Sequence, residues 1–181
     1  MAYAHCLCGH EYIYKDDFQK AKKCYEMALN IDNKNFNAWW GLGNVYHKQE
    51  KYDRALDLFQ KANEINEKNP IIWAYLGITH MHNNNFQEAL VNFEKSEQLN
   101  SKFVQTRYHK AQVLVKLGQY EKALKELHYL LESSPKEAQI YILIGKVYQK
   151  LGRNDKAHQY YVTAQDLDDK QSQRIKSLID S

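Results

Sequence analysis

Residues 37–62 read NAWWGLGNVYHKQEKYDRALDLFQKA, and this stretch holds most of the information about the architecture of the chain. Apolar residues recur in it at three- and four-residue spacing, which is the pattern of amphipathic helices. Two glycines nevertheless stand in its first half, although each glycine in a helix interior costs about 1 kcal/mol relative to alanine. Glycines at that cost are expected where two backbones approach closely. The stretch therefore predicts a pair of tightly packed helices.

The same pattern recurs along the chain with a period of 34 residues. Small residues hold one register in all five copies, namely Gly9, Gly43, Gly77, Ala111 and Gly145. Alanine holds a second register throughout, and large side chains follow it four residues later, namely Ala21, Ala55, Ala89, Ala123, Ala157 and then Tyr25, Phe59, Phe93, Leu127, Tyr161. This period and these residue types match the tetratricopeptide pattern, W-x2-L-G-x2-Y followed by A-x3-F-x2-A.

The sequence therefore predicts an all-α fold, a right-handed tetratricopeptide-repeat (TPR) superhelix or α-solenoid of five helix-pair repeats with a C-terminal capping helix. The predicted repeats are residues 2–35, 36–69, 70–103, 104–137 and 138–171, and the predicted capping helix is residues 172–181. The glycine and alanine series are expected to face each other, and Trp39 is expected in the core. No linker rich in serine, glycine or proline interrupts the repeats, so no internal domain boundary is predicted.

Composition excludes several classes of protein. The chain of 181 residues is 44% hydrophobic and 26% charged, and it has no apolar run of the roughly 18 residues that a membrane span needs. Three cysteines and the absence of a signal-peptide pattern favour an intracellular protein. A net charge of +3 is too small to indicate nucleic acid as a partner. RNA binding through Lys116, Lys146 and Lys150 stays a weaker alternative.

One face of the first helix in each repeat carries the candidate binding residues. Trp40 lies about 100° round the helix from Trp39, so it points away from the core stripe and into the concave groove that such helices line. The same offsets in successive repeats give the rest of the groove. The candidate peptide-binding residues are Asn37, Trp40, Asn44, His47, Lys48, Ile71, Ala74, Ile78, Met81, Gln105, Tyr108 and Gln112.

Acidic residues are nearly absent from these first helices. Of 22 acidic residues, only Glu11 falls in the first fourteen positions of any repeat, where lysine and arginine do occur. Apolar side chains beside amide donors in a positive field suit the end of a peptide, because they accept both a side chain and a carboxylate. The alternative is that these faces are simply solvated.

Repeat four breaks the pattern with two cations. Arg107 and Lys110 hold the registers that Trp39 and Leu42 hold in repeat two. A buried charge without a partner is strongly destabilising. We therefore expect carboxylates of the preceding outer helix to pair with these cations, the candidates being Glu94 and Glu97. The alternative is that the stack opens there and the cations face a partner.

Motifs for catalysis or metal binding are not found in the sequence. The segment HCLCGH contains possible ligands, but Cys6 and Cys8 point to different sides of a helix, and Cys6 with His10 would supply only two ligands. P-loop, GxSxG, HExxH and GxGxxG motifs do not occur. The sequence therefore predicts a protein that is not an enzyme and has no cofactor and no metal.

Several segments resemble one family of repeat proteins closely. The similarity to the C-terminal repeats of the cell-division-cycle protein 27 type subunit of the anaphase-promoting complex lies in AYAHCLCGHEY, NFNAWWGLGNVYHKQEKYDRAL, RYHKAQVLV, YILIGKVYQKLG and AQDLDDKQSQRIKSLID. The resemblance covers essentially the whole chain. It departs from the family at NAWWG, where NAWYG is usual, and at Leu167-Asp168-Asp169, where LDP is usual.

The resemblance implies a function. It implies a non-catalytic scaffold subunit of a ubiquitin ligase, located in the nucleus (and cytoplasm), that binds the C-terminal Ile-Arg tail of co-activators and other subunits of the complex. Family members dimerise through N-terminal repeats that are expected to be absent here, so this fragment is expected to be monomeric. We place the isoleucine of the tail against Trp40, Ile71, Ile78 and Tyr108, and its carboxylate near Asn37, Asn44, His47 and Lys48.

Other peptide-binding adaptors of the same fold are the alternatives. A chaperone-tail adaptor would carry lysine and asparagine at the fifth and ninth positions of its first repeat, where Cys6 and His10 stand. A substrate array of a sugar transferase would show a ladder of asparagines, which the ninth positions do not provide. A generic scaffold of a protein complex stays open.

Overall fold

The computed structural model describes residues 1–100 and 104–168, with side chains from Thr106 onward in the second range. Over these residues the chain forms ten α-helices and no strand, so the predicted all-α repeat fold is confirmed. The helices are α1 (Ala2–Tyr14), α2 (Phe18–Ile31), α3 (Phe36–Lys48), α4 (Tyr52–Ile65), α5 (Pro70–His82), α6 (Phe86–Leu99), α7 (Val104–Lys116), α8 (Tyr120–Ser133), α9 (Ala138–Lys150) and α10 (Asn154–Leu167).

Two compact units make up the chain, Met1–Lys102 with α1 to α6 and Phe103–Ser181 with α7 to α10. The absence of an internal domain boundary stays a prediction. Repeats in such arrays contact only their neighbours, so a division between two helix pairs needs no linker of unusual composition. The five sets of repeat limits stay a prediction, and the predicted capping helix at residues 172–181 lies outside the described residues.

Within each unit the helices pack as antiparallel neighbours in chain order. In the first unit α1 pairs with α2, α3 with α4 and α5 with α6, while α2 contacts α3 and α4 contacts α5. In the second unit α7 pairs with α8 and α9 with α10, while α8 contacts α9. Polar side chains fix where several helices begin, for example Asn35, whose Oδ1 accepts a hydrogen bond from the Ala38 amide at 3.1 Å.

The glycine register packs against rings of the partner helix. A methyl group added at Gly43 would lie 2.7 Å from the ring of Phe59, and one added at Gly77 would lie 2.5 Å from the ring of Phe93. The glycine and alanine series do lie on the two facing helices of each pair, as expected, while the atoms nearest to these glycines belong to the rings. Alanines such as Ala55 are buried, but the large side chain four residues later fills the space that the glycine leaves. Close packing of this kind offsets the helix propensity that glycine lacks.

The turn inside each helix pair uses one left-handed residue at a constant register. A positive φ is common for glycine and asparagine and costs other residues about 1 kcal/mol or more. Two repeats nevertheless place another residue type there, Asp16 and Glu50. The five residues are Asp16 (φ 55°), Glu50 (φ 59°), Asn84 (φ 61°), Gly118 (φ 71°) and Gly152 (φ 72°).

The ring of Trp39 is half-buried, which corrects the expectation that it lies enclosed in the core. It packs on the cluster around Phe59, and its Nε1 donates a hydrogen bond to the backbone oxygen of Asn33 at 2.8 Å. Trp73, one repeat later, donates in the same way to the oxygen of Glu67 at 2.7 Å. These indoles tie the start of an inner helix to the turn before it.

Candidate functional site

The first helix of each pair (α1, α3, α5, α7, α9) is the inner helix, and the second (α2, α4, α6, α8, α10) is the outer helix. Trp40 of α3 stands at the centre of an aromatic ladder that also includes residues of the inner helices α1 and α5. Its ring centroid lies 5.6 Å from that of His10 on α1. On the other side it lies 5.3 Å from the ring of Tyr75 on α5, in an edge-to-face contact. Tyr75 in turn packs on Phe59 at 5.6 Å. Because these rings fix one another, Trp40 has a defined orientation and is half-buried.

The indole N–H of Trp40 is buried and has no hydrogen-bond partner among the described residues. It differs in this from Trp39 and Trp73, whose indole groups donate to backbone oxygens. A buried donor without an acceptor costs about 1–3 kcal/mol. Unsatisfied groups of this kind call for an explanation, and a ligand acceptor is one.

A hydrogen bond to Tyr25 holds His10 beside Trp40. The hydroxyl of Tyr25 and Nδ1 of His10 lie 2.9 Å apart, and their rings meet edge to face at 5.5 Å. Burial lowers the pKa of His10, so its imidazole is neutral at pH 7. Burial likewise raises the pKa of Tyr25, which keeps its hydroxyl protonated. His10 therefore contributes shape and a hydrogen bond to the ladder rather than charge.

The predicted site residues of α3 and α5 differ in how accessible they are. Asn37, Lys48 and Ile71 are exposed, the last by 41%. Half-buried positions are Asn44, His47, Ile78 and Met81. Ala74 is only 3% exposed, which corrects its interpretation as a lining residue: its methyl group belongs to the interior.

His47 lies in a second ring cluster at the end of α3. Its ring centroid is 5.3 Å from that of His82 and 5.6 Å from that of Tyr52. Burial, then the nearby His82 and Lys48, lower the pKa of His47 to about 4. Its Nε2 is buried and has no partner among the residues described. At neutral pH His47 is therefore uncharged, and Lys48 is the cation at this end of the helix.

Two of the predicted residues in α7, Tyr108 and Gln112, are half-buried in the second unit. The side chain of Gln105 is outside the described part of the chain. Within the second unit the Tyr108 ring lies 5.9 Å from that of His109, whose Nδ1 is 3.1 Å from Gln112 Oε1.

The two cations of α7 meet a carboxylate of the same repeat. Arg107 Nη1 lies 2.6 Å from Glu126 Oε2, and Lys110 Nζ lies 3.0 Å from Glu126 Oε1, with all three side chains less than one fifth exposed. Both cations thus meet a carboxylate, but the partner shown is Glu126 of α8, in the same repeat, which sequence reasoning missed. Their pairing with Glu94 and Glu97 of the preceding outer helix stays a prediction.

Negative charge is scarce on the inner helices of both units. Helices α1, α3, α5, α7 and α9 contain one acidic residue between them, Glu11. Glu11 itself forms an exposed ion pair with Lys15 at 3.0 Å. The candidate faces of α3 and α5 therefore carry no acidic side chain that would repel an anion.

Residues 1–100 and 104–168 contain no group of three or more His, Cys, Asp or Glu side chains that could hold a metal ion. No helix in these residues is long and apolar enough to cross a membrane. The candidate site in this part of the chain is therefore a surface of aromatic rings and hydrogen-bond donors on α3 and α5.

Tyr75 is the residue of the ladder that the sequence analysis missed. It follows Ala74 and so lies one position beyond the offsets used to list the groove. The signal available was the equivalent position of repeat two, Gly41, whose missing side chain makes room for the ring of Tyr25. A residue that changes from glycine to tyrosine at one register marks a place where neighbouring repeats pack differently.

Comparisons with protein families agree with this architecture. Family models described as TPR repeat and as tetratricopeptide repeat match residues 9–50 and 43–84, and residues 114–180. The chain belongs to the tetratricopeptide-repeat family. A further model, described as anaphase-promoting complex, cyclosome, subunit 3, matches residues 72–130. Residues 72–130 of the TPR chain are thus similar to the family of that subunit.

Relatives named anaphase-promoting complex subunit 3 or cell division cycle protein 27 homolog match nearly all of the TPR chain. It is 32% identical to anaphase-promoting complex subunit 3 of Schizosaccharomyces pombe over 99% of its own length and 27% of the relative's. It is 38% identical to the cell division cycle protein 27 homolog of Caenorhabditis elegans, over 96% of its own length and 22% of the relative's. It is 37% identical to cell division cycle protein 27 homolog B of Arabidopsis thaliana, over 92% of its own length and 22% of the relative's. The chain thus spans about a quarter of these relatives.

Solved structures share the fold at lower identity. PilW, described as a type IV pilus biogenesis factor, has a TM-score of 0.84 and 21% identity, with 92% of this chain and 77% of that chain covered. YrrB, described as a TPR protein with an unusual peptide-binding site, has a TM-score of 0.76 and 24% identity, with 92% and 86% covered. These matches establish the helical-repeat fold alone.

Proposed function

We propose that this chain is the repeat region of a non-catalytic scaffold subunit of the anaphase-promoting complex, a ubiquitin ligase that drives cell-cycle progression. The support is the similarity to subunit 3 relatives over nearly the whole chain. Its partners are other subunits of the complex and co-activator proteins, and its location is the nucleus (and cytoplasm). Affinity purification of the full-length protein followed by mass spectrometry tests this assignment, which fails if no subunit of the complex is recovered.

The proposed ligand is a short C-terminal tail ending in Ile-Arg, bound on the inner helices of the first unit. The observation that carries this proposal is the half-buried ring of Trp40, whose buried indole N–H has no partner among the described residues. Tyr75 contacts that ring, and Ile71 and Ile78 share the face of α5 with Tyr75 because they lie four and three residues away. In this proposal these side chains form the apolar seat for the isoleucine of the tail.

The carboxylate at the end of the tail would meet donors on α3. Asn44 lies four residues after Trp40 and so shares its face, while Asn37 and Lys48 are exposed at the two ends of the helix. Neither α3 nor α5 contains an acidic residue that would repel a carboxylate. Hydrogen bonds to a charged group contribute about 1.5–3 kcal/mol. The free carboxylate is therefore a substantial part of the recognition.

Fluorescence anisotropy with two labelled peptides tests this ligand. One peptide ends in Ile-Arg with a free carboxylate and the other ends in Ile-Arg amide. So small a ligand is expected to bind in about the micromolar range. The amide is expected to bind about ten- to a hundredfold more weakly, and added salt is expected to weaken the free acid further.

Matched variants distinguish the contribution of the Trp40 ring to binding from that of its indole N–H. Trp40→Ala removes the seat and is expected to abolish measurable binding, whereas Trp40→Phe keeps an aromatic face and loses only the indole N–H. Asn44→Ala is expected to weaken the free acid more than the amide. Exposed Val91 on the outer helix α6 provides a control, since Val91→Ala should leave the affinity unchanged. Equal affinity for acid and amide, or no effect of Trp40→Ala, refutes the proposal.

The isolated chain is proposed to be monomeric. This follows from the resemblance to a family whose members pair through other repeats. Sedimentation velocity at several protein concentrations measures the mass directly. A mass equal to twice that of the chain, independent of concentration, refutes this part of the proposal.

A further inference from the structure

Two thiols that have no role in the proposed groove lie against each other in the first helix pair. Cys8 of α1 and Cys24 of α2 are free cysteines whose Sγ atoms are 3.0 Å apart. This separation is about 1 Å longer than a disulfide bond. We propose that Cys8 and Cys24 form a modification site at which a hydroperoxide creates an intramolecular disulfide between α1 and α2.

The two thiols differ in accessibility, which fixes their roles. Cys8 is half-buried, whereas Cys24 is only 9% exposed. Burial, followed by the hydrogen bond to Cys8, raises the pKa of Cys24 to about 11, so Cys24 stays protonated at neutral pH. Cys8 is therefore the thiol that meets the oxidant, and Cys24 is the thiol that resolves the product.

The reaction balances with the hydroperoxide as the single oxidant. The deprotonated sulfur of Cys8 attacks a peroxide oxygen, the O–O bond breaks, and a sulfenic acid and water form. The sulfur of Cys24 then attacks the sulfur of Cys8, the S–S bond forms, and the S–O bond breaks. The proton of Cys24 leaves with the displaced hydroxide as water. Hydrogen peroxide thus takes two electrons and two protons from the thiols and becomes two molecules of water.

The third cysteine lies apart from this pair and serves as a control. Cys6 is 2% exposed, and its thiol donates to Asn35 Oδ1 at 3.6 Å, at the junction with the second helix pair. It stands two residues from Cys8 on the same helix, and residues at that spacing face different sides. Cys6 is therefore expected to stay reduced while the other two react.

A bond between residues 8 and 24 would fix the two helices of the first pair to each other. The segment between them contains the turn at Asp16, and closing it removes conformations from the unfolded chain. His10 and Tyr25, which contact each other beside Trp40, lie two residues and one residue from the bridge. Oxidation is therefore expected to raise the midpoint of thermal unfolding of the first unit.

Peptide mapping of the whole protein tests the site. The protein is treated with hydrogen peroxide, its remaining thiols are alkylated, and the digest is analysed by mass spectrometry without reduction. The expected product is one cross-linked peptide pair that contains Cys8 and Cys24, with Cys6 alkylated, and a thiol reductant should reverse it. Cys6→Ala should keep the cross-link, and Cys8→Ala or Cys24→Ala should abolish it.

Other products overturn the inference. Sulfinic acid on Cys8 without a cross-link would mean that Cys24 cannot reach it. A dimer on a non-reducing gel, joined through Cys8, would mean that an intermolecular bond forms instead. Three unmodified thiols at a peroxide concentration that oxidises a reference disulfide-forming peptide would also overturn it. The mapping uses the unsubstituted protein, so it does not depend on how well the variants fold, and circular dichroism checks each variant separately.

Discussion

Repeats two and four place opposite chemistry at the same registers. In repeat two, Lys61 of α4 lies over the ring of Trp39 of α3, with Nζ 4.7 Å from the centroid. In repeat four, Arg107 of α7 lies over the ring of Tyr129 of α8, at 4.1 Å. Positions 39 and 107 share one register, as do 61 and 129, because each pair is two periods apart. The cation and the ring have exchanged helices while the contact is kept.

The adjacent pair of registers changes from apolar to ionic. Leu42 is buried in repeat two, and Leu58 packs against its cluster. The equivalent residues of repeat four, Lys110 and Glu126, form an ion pair at 3.0 Å. Cation–π contacts and ion pairs thus substitute for apolar packing where both partners change together. The helical period determines which positions meet, whereas their polarity is set pair by pair.

Removal of the carboxylate in repeat four should have the largest effect. Glu126→Leu leaves Arg107 and Lys110, both largely buried, without this anion. We expect the free energy of unfolding to fall by about 2–4 kcal/mol, as for a buried ion pair that loses one partner. Urea unfolding monitored by circular dichroism measures the loss.

The residues of repeat two provide the control for this variant. The triple variant Arg107→Trp, Lys110→Leu, Glu126→Leu restores an apolar set at the same registers. It should recover most of the lost stability, because well-packed apolar residues commonly replace buried ion pairs at little cost. A triple variant as unstable as Glu126→Leu would show that the two repeats are not interchangeable in this way.

The small-residue register should show the next largest effect. Gly43→Ala places a methyl group 2.7 Å from the ring of Phe59, so we expect a loss of about 1–3 kcal/mol from overpacking. Repeat four holds Ala111 and Leu127 at these registers, both fully buried. The double variant Gly43→Ala, Phe59→Leu should therefore be more stable than the sum of the single variants predicts. A double-mutant cycle by urea unfolding measures this coupling, and strict additivity would contradict the packing described here.

The pH dependence of stability should distinguish the same two repeats. His47, with its pKa lowered to about 4 by burial, His82 and Lys48, resists protonation in the folded state, whereas the unfolded chain takes up the proton near the ordinary value of 6.5. The contribution of neutral His47 to the free energy of unfolding is therefore fully present above pH 6.5, and it is lost as the pH falls toward 4. We expect a loss of about 1–2 kcal/mol, after allowance for solvent screening of a partly exposed ring.

Valine at this register in repeat four supplies the control substitution. His47→Val copies Val115 and removes the titrating group. Unfolding curves of both proteins between pH 7.5 and 4 should show a shallower pH dependence for the variant, since His10 and His80 still contribute the same sign. Parallel curves for the two proteins would mean that His47 is not the group responsible.

The left-handed turn position should give the smallest effect. Glu50 has a φ of 59°, and the equivalent residue of repeat four is Gly118 with a φ of 71°. Glu50→Gly should stabilise the protein by about 0.5 kcal/mol, because relief of strain slightly exceeds the added chain entropy. Gly118→Ala should destabilise it by about 1 kcal/mol through the backbone alone, since an added methyl group meets nothing within 4 Å. Thermal unfolding of both variants tests these opposite signs.

Much of the fold follows from the 34-residue period, because small and large side chains recur where helices meet. The period alone does not identify which series fills the space beside Gly43, since alanine and phenylalanine four residues apart share one face of α4. It also does not reveal Glu126 as the partner of Arg107, because polar pairs replace apolar ones without changing the spacing. The contact of Cys8 with Cys24 likewise depends on how two helices are rotated about their axes.

The candidate site could be predicted only in part for the same reason. Helical offsets placed Trp40 away from the core stripe, but its ring packs against the same cluster around Phe59 as the ring of Trp39 does. Its contacts on α1 and α5 are specified by no offset within α3. Ala74 has the offset of a groove residue, yet it is 3% exposed. The exposure of a side chain depends on the size of its neighbours, such as Tyr75. Equivalent positions in the repeats do not specify the size of those neighbours.

The most direct test of the proposed groove uses the three indole N–H signals in a 15N-labelled protein. Trp39 and Trp73 donate to backbone oxygens, while the indole of Trp40 has no acceptor in the described structure. Titration with a free-acid peptide ending in Ile-Arg, followed by 1H–15N correlation spectra, reports each indole separately, and Trp40→Phe assigns its signal. We predict a saturable shift of the Trp40 signal, with the signals of Trp39 and Trp73 nearly unchanged. An unmoved Trp40 signal at a saturating peptide concentration would contradict the account.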